Sequence, residues 1–148
     1  MQRDFPRQLG SLESLYEFAE EILEASHIPP AVRFPVHLAM EELFVNMVKY
    51  NPGVATDITV DVGVTVTDKT QGSDGPGQEV TVTLVDSGGV EFDVTAERRV
   101  EIDVPLERRT PGGLGIHLIQ NLVDELEYNY RDGRGEVKFT KRSGNENV

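Results

Sequence analysis

Three polar residues, Glu42, Asn46 and Lys49, stand four and three positions apart in an otherwise largely apolar stretch. In an α-helix this spacing places their side chains on one face. One interpretation is a surface pair between Glu42 and Lys49, with Asn46 in water. The other is that a polar strip on a mostly buried helix must meet a protein partner, water or a ligand. The spacing alone leaves both interpretations open.

A second candidate group, Asp86-x-Gly88-Gly89, follows a run of alternating apolar and polar residues. A carboxylate at the end of a strand can accept a hydrogen bond from an amino group. The glycine after it lets backbone or a ligand approach closely. An ordinary strand-to-turn transition uses the same residue types, so this group alone is weak evidence for a site.

A glycine-rich run, Gly112-Gly113-Leu114-Gly115, opens a helical pattern that begins with Ile116. Glycines before a helix expose backbone N–H groups, and the helix dipole favours an anion there. The run is neither a Walker A loop, because it lacks the lysine and Ser/Thr, nor a dinucleotide fingerprint, because no βαβ unit precedes it. A flexible loop with a helix cap is the competing interpretation.

Hydrophobic periodicity predicts the helices that must position these groups. The first has Ser11 as its N-cap and ends near Ser26, and its apolar stripe comprises Leu12, Leu15, Tyr16, Ala19, Ile22 and Leu23. The second runs from Ala31 to Tyr50, and its apolar stripe comprises Val36, Met40, Leu43, Phe44 and Met47. Because further apolar residues lie on its other sides, this second helix should be largely buried.

Strands are predicted where the period changes to two. A short edge strand spans Asp4–Gln8, and an antiparallel hairpin is formed by alternating runs at Ile58–Val66 and Val80–Val85, joined by a loop at Lys69–Gln78. Phe92–Arg109 is predicted to be a short helix or turn followed by an irregular segment. Two closing strands, Leu126–Arg131 and Glu136–Lys141, flank a turn at Asp132–Gly135.

This order, β-α-α-β-β-α-β-β, predicts an α+β fold. We expect a two-layer sandwich with the helices on one face of a mixed, mostly antiparallel sheet. Residues 1–142 form one domain, and 143–148 form a frayed tail.

Composition excludes several classes of function. With 26 acidic residues against 14 basic ones, the net charge is −12, which disfavours nucleic acid and anionic membranes as partners. It favours a protein partner with basic features. The absence of cysteine excludes disulfides and thiolate chemistry. No signal peptide or membrane span is visible, so we expect a cytoplasmic protein.

Taken together and in this order, the three groups resemble the ATP-binding site of the GHKL superfamily, which includes gyrase, the Hsp90 chaperone, histidine kinases and MutL. Glu42-x-x-x-Asn46 is similar to the N box, Asp86-x-Gly88 to the G1 box, and Gly112-Gly113-Leu114-Gly115-Ile116 to the G2 box. The small size, the continuation His117-Leu118-Ile119 and the later run Leu122–Tyr128 resemble the bacterial anti-sigma factor and serine-protein kinase branch.

The resemblance implies specific roles for these residues. Asn46 would bind Mg²⁺, Glu42 would act as the general base, Asp86 would accept the adenine amino group and Lys49 would meet a phosphate. Further ATP contacts would come from Gly88 and from Gly112, Gly113, Leu114, Gly115 and Ile116. A lid would span Phe92 to Gly113, with Arg108 and Arg109 as candidate phosphate contacts.

The resemblance also implies an activity and partners. The chain would be an Mg·ATP-dependent anti-sigma factor that phosphorylates a serine or threonine of a STAS-domain anti-anti-sigma protein. A sigma factor and a second copy of the chain would be further partners. Three departures keep open the alternative of a nucleotide-gated module that sequesters a partner with little or no transfer. Phe92 stands one residue later than usual, Tyr50 replaces a common histidine, and Glu136 replaces a phosphate-contacting threonine.

Overall fold

A computed structural model describes residues 1–49, 58–69, 77–88, 91–96 and 113–143. Its helices are α1 (Leu12–Ala25), α2 (Pro30–Lys49) and α3 (Gly113–Leu122), with a 3₁₀ turn at Leu9–Ser11. Its strands are β1 (Gln2–Pro6), β2 (Thr59–Lys69), β3 (Gly77–Asp86), β4 (Glu125–Arg131) and β5 (Arg134–Arg142). The predicted element order is confirmed, and β1 lies two residues earlier than expected.

The five strands form one open sheet in the order β1-β2-β3-β5-β4. All four described pairings are antiparallel. The expected α+β class is therefore confirmed, although the sheet is antiparallel rather than mixed. β3 and β4, which α3 connects, do run parallel, but β5 lies between them and pairs with both.

The period-two runs place valine side chains on the helix-facing side of the sheet. Val60, Val62 and Val64 are at most 1% exposed, and pairing sets Val62 opposite Leu84. On the next strand pair, Val82 stands opposite the fully buried Phe139. The core therefore lies between this face and the helices, which is also the face that carries the end of β3.

α1 corrects two expectations about side chains. Tyr16, predicted on the apolar stripe, is 52% exposed, whereas Phe18 is buried and meets Phe5 edge-on with ring centroids 5.5 Å apart. Ser11 stands at the N-cap position but makes no capping hydrogen bond. Its backbone is already in the helical region, unlike the extended conformation of a capping residue, and its hydroxyl donates to the Pro6 carbonyl.

α2 is buried on the stripe that its sequence predicts. Val36, Met40, Leu43 and Phe44 are at most 1% exposed, and Met47 is half-buried. The helix begins one residue earlier than predicted, at a proline suited to a first helical turn. Tyr50, its predicted last residue, lies outside the described residues.

The connections are shorter than predicted. Lys69 pairs with Gly77, so the strands take up both ends of the predicted Lys69–Gln78 loop, and residues 70–76 lie outside the described residues. The β4–β5 turn consists of Asp132 and Gly133, with φ of 52° and 80°. Asp-Gly tolerates these positive angles and makes a two-residue hairpin turn.

The first residue of the predicted frayed tail, Ser143, is paired with the sheet. The Ser143 amide donates to the Gln78 carbonyl at 2.8 Å, which attaches this residue to β3. Residues 144–148, the rest of that predicted tail, lie outside the described residues.

Candidate functional site

The three residues of the polar strip on α2 differ in their exposure to solvent. Glu42 is half-buried, Asn46 is 6% exposed, and Lys49 is exposed at the end of the helix. The buried position of Asn46 rules out the interpretation that it is merely solvated. Its amide nitrogen, Nδ2, is buried and has no hydrogen-bond partner among the described residues. Because a buried polar atom without a partner costs stability, this amide is a candidate for contact with a ligand.

Glu42 and Gly115 bring the first and third sequence groups together. A Cβ on Gly115 would lie 3.2 Å from Glu42 Cδ and closer still to Oε2. A side chain at this position would require the Glu42 carboxylate to move aside. Gly115 belongs to the first turn of α3, where backbone N–H groups have no intrahelical acceptor. The carboxylate is thus held beside the positive end of a helix dipole.

The other residues of the glycine-rich run lie partly in α3 and partly outside the described residues. Gly113 and Leu114 begin α3, whereas Gly112 lies outside the described residues. Ile116 is fully buried and belongs to the hydrophobic core, so its side chain packs the helix onto the sheet. Of the predicted phosphate contacts, Arg108 and Arg109 also lie outside the described residues.

Asp86 ends β3 on the helix-facing side of the sheet, opposite Val60 on one neighbouring strand and Gly135 on the other. Its Oδ1 accepts a hydrogen bond from Arg7 Nη1 at 2.7 Å and from the Gly88 amide at 3.3 Å. The side chains of Arg7 and Asp86 are 4% and 7% exposed. The predicted amino-group acceptor is therefore already engaged by a buried guanidinium.

Arg7 is the site residue that sequence reasoning missed. It stands 79 positions before Asp86, beyond any local motif. Its amide donates to the Ile58 carbonyl at 3.0 Å, which continues the β1–β2 pairing by one step. Alternation from the buried Phe5 then places Arg7 on the same face. The predicted strand Asp4–Gln8 extends two residues past the observed end of β1 and includes Arg7. Strand alternation over that range is the sequence signal that could have placed Arg7 on this face.

The G1 glycine has a packing role. A Cβ on Gly88 would lie 2.5 Å from Ile58 Cδ1, so the isoleucine fills the space that a side chain would need. Since Ile58 and Arg7 are paired through their backbones, this contact ties the turn after β3 to the end of β1.

The start of the predicted lid is anchored to α3 and β4. Gln120 Nε2 donates to the carbonyls of Val94 and Ala96, both at 2.8 Å. The Phe92 amide donates to the Tyr128 hydroxyl at 2.8 Å. Burial raises the pKa of Tyr128, which keeps the hydroxyl neutral. Residues 94–96 form a turn, one of the two predicted options, and residues 97–112 lie outside the described residues.

Glu136 does not take the place of the missing threonine. On β5, Glu136 pairs with Val85 of β3, whereas its neighbour Gly135 pairs with Asp86. Successive residues of a strand point to opposite faces, so Glu136 faces away from the helices. Sequence position alone does not reveal this separation.

A second polar cluster lies between α1 and α2, away from these groups. Glu20 accepts hydrogen bonds from Arg33 Nη1 at 2.6 Å and contacts His37 Nε2 at 2.5 Å. Burial opposes ionisation of Glu20, but the hydrogen bonds from His37 and Arg33 outweigh it and lower its pKa. This cluster joins the two helices.

Comparison with known proteins identifies the family. The model of the histidine kinase-like ATPase domain matches residues 5–141. The chain belongs to this family. The resemblance to the GHKL superfamily is thereby confirmed. No curated protein matches the sequence of this histidine kinase-like ATPase domain.

Solved structures share the fold of this ATPase domain at low sequence identity. The RsbU and RsbW domains from Mycobacterium tuberculosis match with a TM-score of 0.57 and 16% identity, over 95% of this chain and 32% of that chain. The present chain thus spans about a third of that protein chain. The SiaB–SiaC complex from Pseudomonas aeruginosa matches with a TM-score of 0.55 and 14% identity, over 97% of this chain and 89% of that chain.

Within the described residues, no helix of the ATPase domain has the length and apolar character needed to cross a bilayer.

Proposed function

We propose that this ATPase domain binds Mg·ATP between α2 and α3, with the adenine at the end of β3. One observation carries the proposal: within the described residues, the buried Asn46 Nδ2 lacks an acceptor, one helical turn from a carboxylate that lies at the start of α3. A phosphate oxygen of the ligand would accept a hydrogen bond from this nitrogen. An amide oxygen suits Mg²⁺, and the first turn of a helix suits an anion.

The residues fit the cation that the family implies. Asn46 would hold Mg²⁺ through its amide oxygen, with the nucleotide phosphates as the other principal ligands. When bound, the ion would neutralise charge on the transferring phosphoryl group. Lys49, exposed at the end of α2, remains a proposed phosphate contact.

We further propose the activity of the anti-sigma branch: transfer of phosphate to a serine or threonine of a STAS-domain protein. Glu42 would take the proton of the attacking hydroxyl, and the amides of Gly113–Gly115 would stabilise charge on the transferring group. The motif resemblance and the fold shared with the RsbW-containing structure and the SiaB–SiaC complex support this proposal. A sigma factor and a second copy of the chain are further proposed partners.

Surface charge fits a basic protein partner. Four glutamates line the exposed side of α1: Glu13, Glu17, Glu21 and Glu24. With a net charge of −12, such a surface would speed association with a basic partner, and raising salt should weaken it.

Radiolabelled ATP tests the activity. The chain is incubated with each STAS-domain protein of the same genome, and phosphate on that protein is measured. We expect Glu42→Gln to lower the transfer rate by about 10²- to 10⁴-fold while Mg·ATP still binds, because the general base is lost. Glu41→Gln is the matched control, since the exposed Glu41 precedes Glu42 and points elsewhere.

Two outcomes would decide against the kinase. Transfer that survives Glu42→Gln unchanged would remove Glu42 from its role. Binding of Mg·ATP and of the STAS protein by the unmodified chain, without any transfer, would establish the nucleotide-gated binding module instead.

A further inference from the structure

The Arg7–Asp86 pair lies where the proposed site would receive the adenine. Both side chains are nine-tenths buried, and the 2.7 Å contact joins Arg7 Nη1 to Asp86 Oδ1. The same oxygen accepts the Gly88 amide. The carboxylate and the guanidinium are therefore held side by side at the end of β3.

Arg7 is fixed in place by its backbone. Its amide bonds to Ile58, and Phe5, two residues before it on the same face, is 1% exposed. The neighbouring Ile58 side chain fills the space beside Gly88. The guanidinium thus reaches Asp86 from a rigid part of the sheet.

The guanidinium retains donors beyond those used on Asp86. It carries five N–H groups in a planar fork. Within the described part of the chain, Asp86 is its one hydrogen-bond acceptor. Nε and Nη2 consequently have hydrogen bonds left to give. A polar ligand that reaches the carboxylate meets these donors as well.

An acceptor beside a donor is complementary to one kind of base edge. Adenine presents its amino group, a donor, next to ring nitrogens that accept. A carboxylate alone reads the amino group. A carboxylate with an adjacent guanidinium can read the amino group and a ring nitrogen together.

We propose that Arg7 is a second base-reading residue, which donates to N1 or N7 of adenine while Asp86 accepts from the amino group. The inference rests on the proposed Mg·ATP binding. Arg7 makes the edge strand β1 part of the nucleotide site, although no local motif of the sequence marks it.

The test compares ligands that differ by one acceptor. Binding of Mg·ATP, Mg·1-deaza-ATP and Mg·7-deaza-ATP is measured by calorimetry for the unmodified chain, for Arg7→Gln and for Arg7→Met. Arg7→Gln keeps a hydrogen-bond donor for Asp86 but loses the guanidinium group. It therefore tests the proposal even if Arg7→Met folds poorly. Arg3→Met is the matched control, because Arg3 stands on the same strand face over the Phe5 ring.

We expect the unmodified chain and Arg3→Met to bind one deaza analogue about 10- to 100-fold more weakly than ATP, as fits loss of a charge-assisted hydrogen bond. Both Arg7 variants should bind that analogue and ATP equally. This ratio is independent of any general weakening that a variant causes.

Three results would overturn the proposal. Binding of both analogues by the unmodified chain as tightly as ATP would mean that no ring nitrogen is read. Tighter ATP binding by Arg7→Gln would mean that Arg7 competes with the base for Asp86. Absence of Mg·ATP binding by the unmodified chain would refute the proposed function itself, and the inference with it.

Discussion

The two ends of the proposed site differ in how their buried polar groups are satisfied. At the β3 end, Asp86 is paired with Arg7 and with the Gly88 amide. At the α2–α3 end, the Asn46 amide nitrogen has no partner in the part of the chain that the structure describes, and the Glu42 carboxylate lies against a glycine in the first turn of α3.

This difference indicates how each end affects the stability of the fold before a ligand binds. Removal of one partner of a buried ion pair is strongly destabilising, because the other charge is left buried and unpaired. An unsatisfied amide lowers stability until something binds to it, as is common where function and stability compete. Loss of a polar partner should therefore cost more stability at the β3 end than at the α2–α3 end, although both ends would contact the nucleotide.

The largest expected effect is at the β3 end. Asp86→Ala leaves a buried guanidinium without its acceptor and should lower the free energy of unfolding by about 3–5 kcal/mol, measured by urea titration. Glu127→Ala is the control, because its 3.9 Å pair with Lys138 is 70% and 48% exposed. That change should cost less than about 1 kcal/mol. Equal losses in the two variants would remove the distinction between the ends.

At the α2–α3 end, we expect removal of the polar group to raise the free energy of unfolding rather than lower it. Asn46→Leu keeps a similar volume and removes the unpaired amide, so we expect the free energy of unfolding without nucleotide to rise by about 1–3 kcal/mol. Asn129→Leu, on the exposed side of β4, should change it by less than about 0.5 kcal/mol. A loss of stability in Asn46→Leu would mean that the amide already supports the fold.

Gly115→Ala separates stability from activity within that end. Alanine is favoured over glycine by up to about 1 kcal/mol in a helix, and the end of the Glu42 side chain can swing aside. We therefore expect stability within about 1 kcal/mol of the parent but phosphate transfer at least tenfold slower. Gly63→Ala is the control, since its Cβ would meet no atom nearer than 3.9 Å. Unchanged transfer in Gly115→Ala would show that the Glu42 position is unimportant.

Much of the α2–α3 end could be predicted from the sequence. Helical spacing places Glu42 and Asn46 on one face, and the apolar surroundings of Asn46 indicate its burial. The spacing does not reveal the contact between Glu42 and Gly115. These residues are 73 positions apart in the sequence, and their contact depends on how α2 and α3 pack together.

The β3 end could be predicted only in part. Alternation indicates that Asp86 ends a strand, but the residue that pairs with it comes from an edge strand whose position is set by tertiary pairing. The same limit affected α1, where helical period places both Tyr16 and Phe18 near the edge of the apolar stripe. The position of Phe5 selects Phe18 for the core.

The most direct test of the account is urea unfolding of the unmodified chain with and without saturating Mg·ATP. If the site between α2, α3 and the end of β3 binds the nucleotide, ligand at one hundred times its Kd should raise the free energy of unfolding by about 2.7 kcal/mol. Asn46→Leu should show no rise. An unmodified chain whose unfolding is indifferent to Mg·ATP would contradict the account.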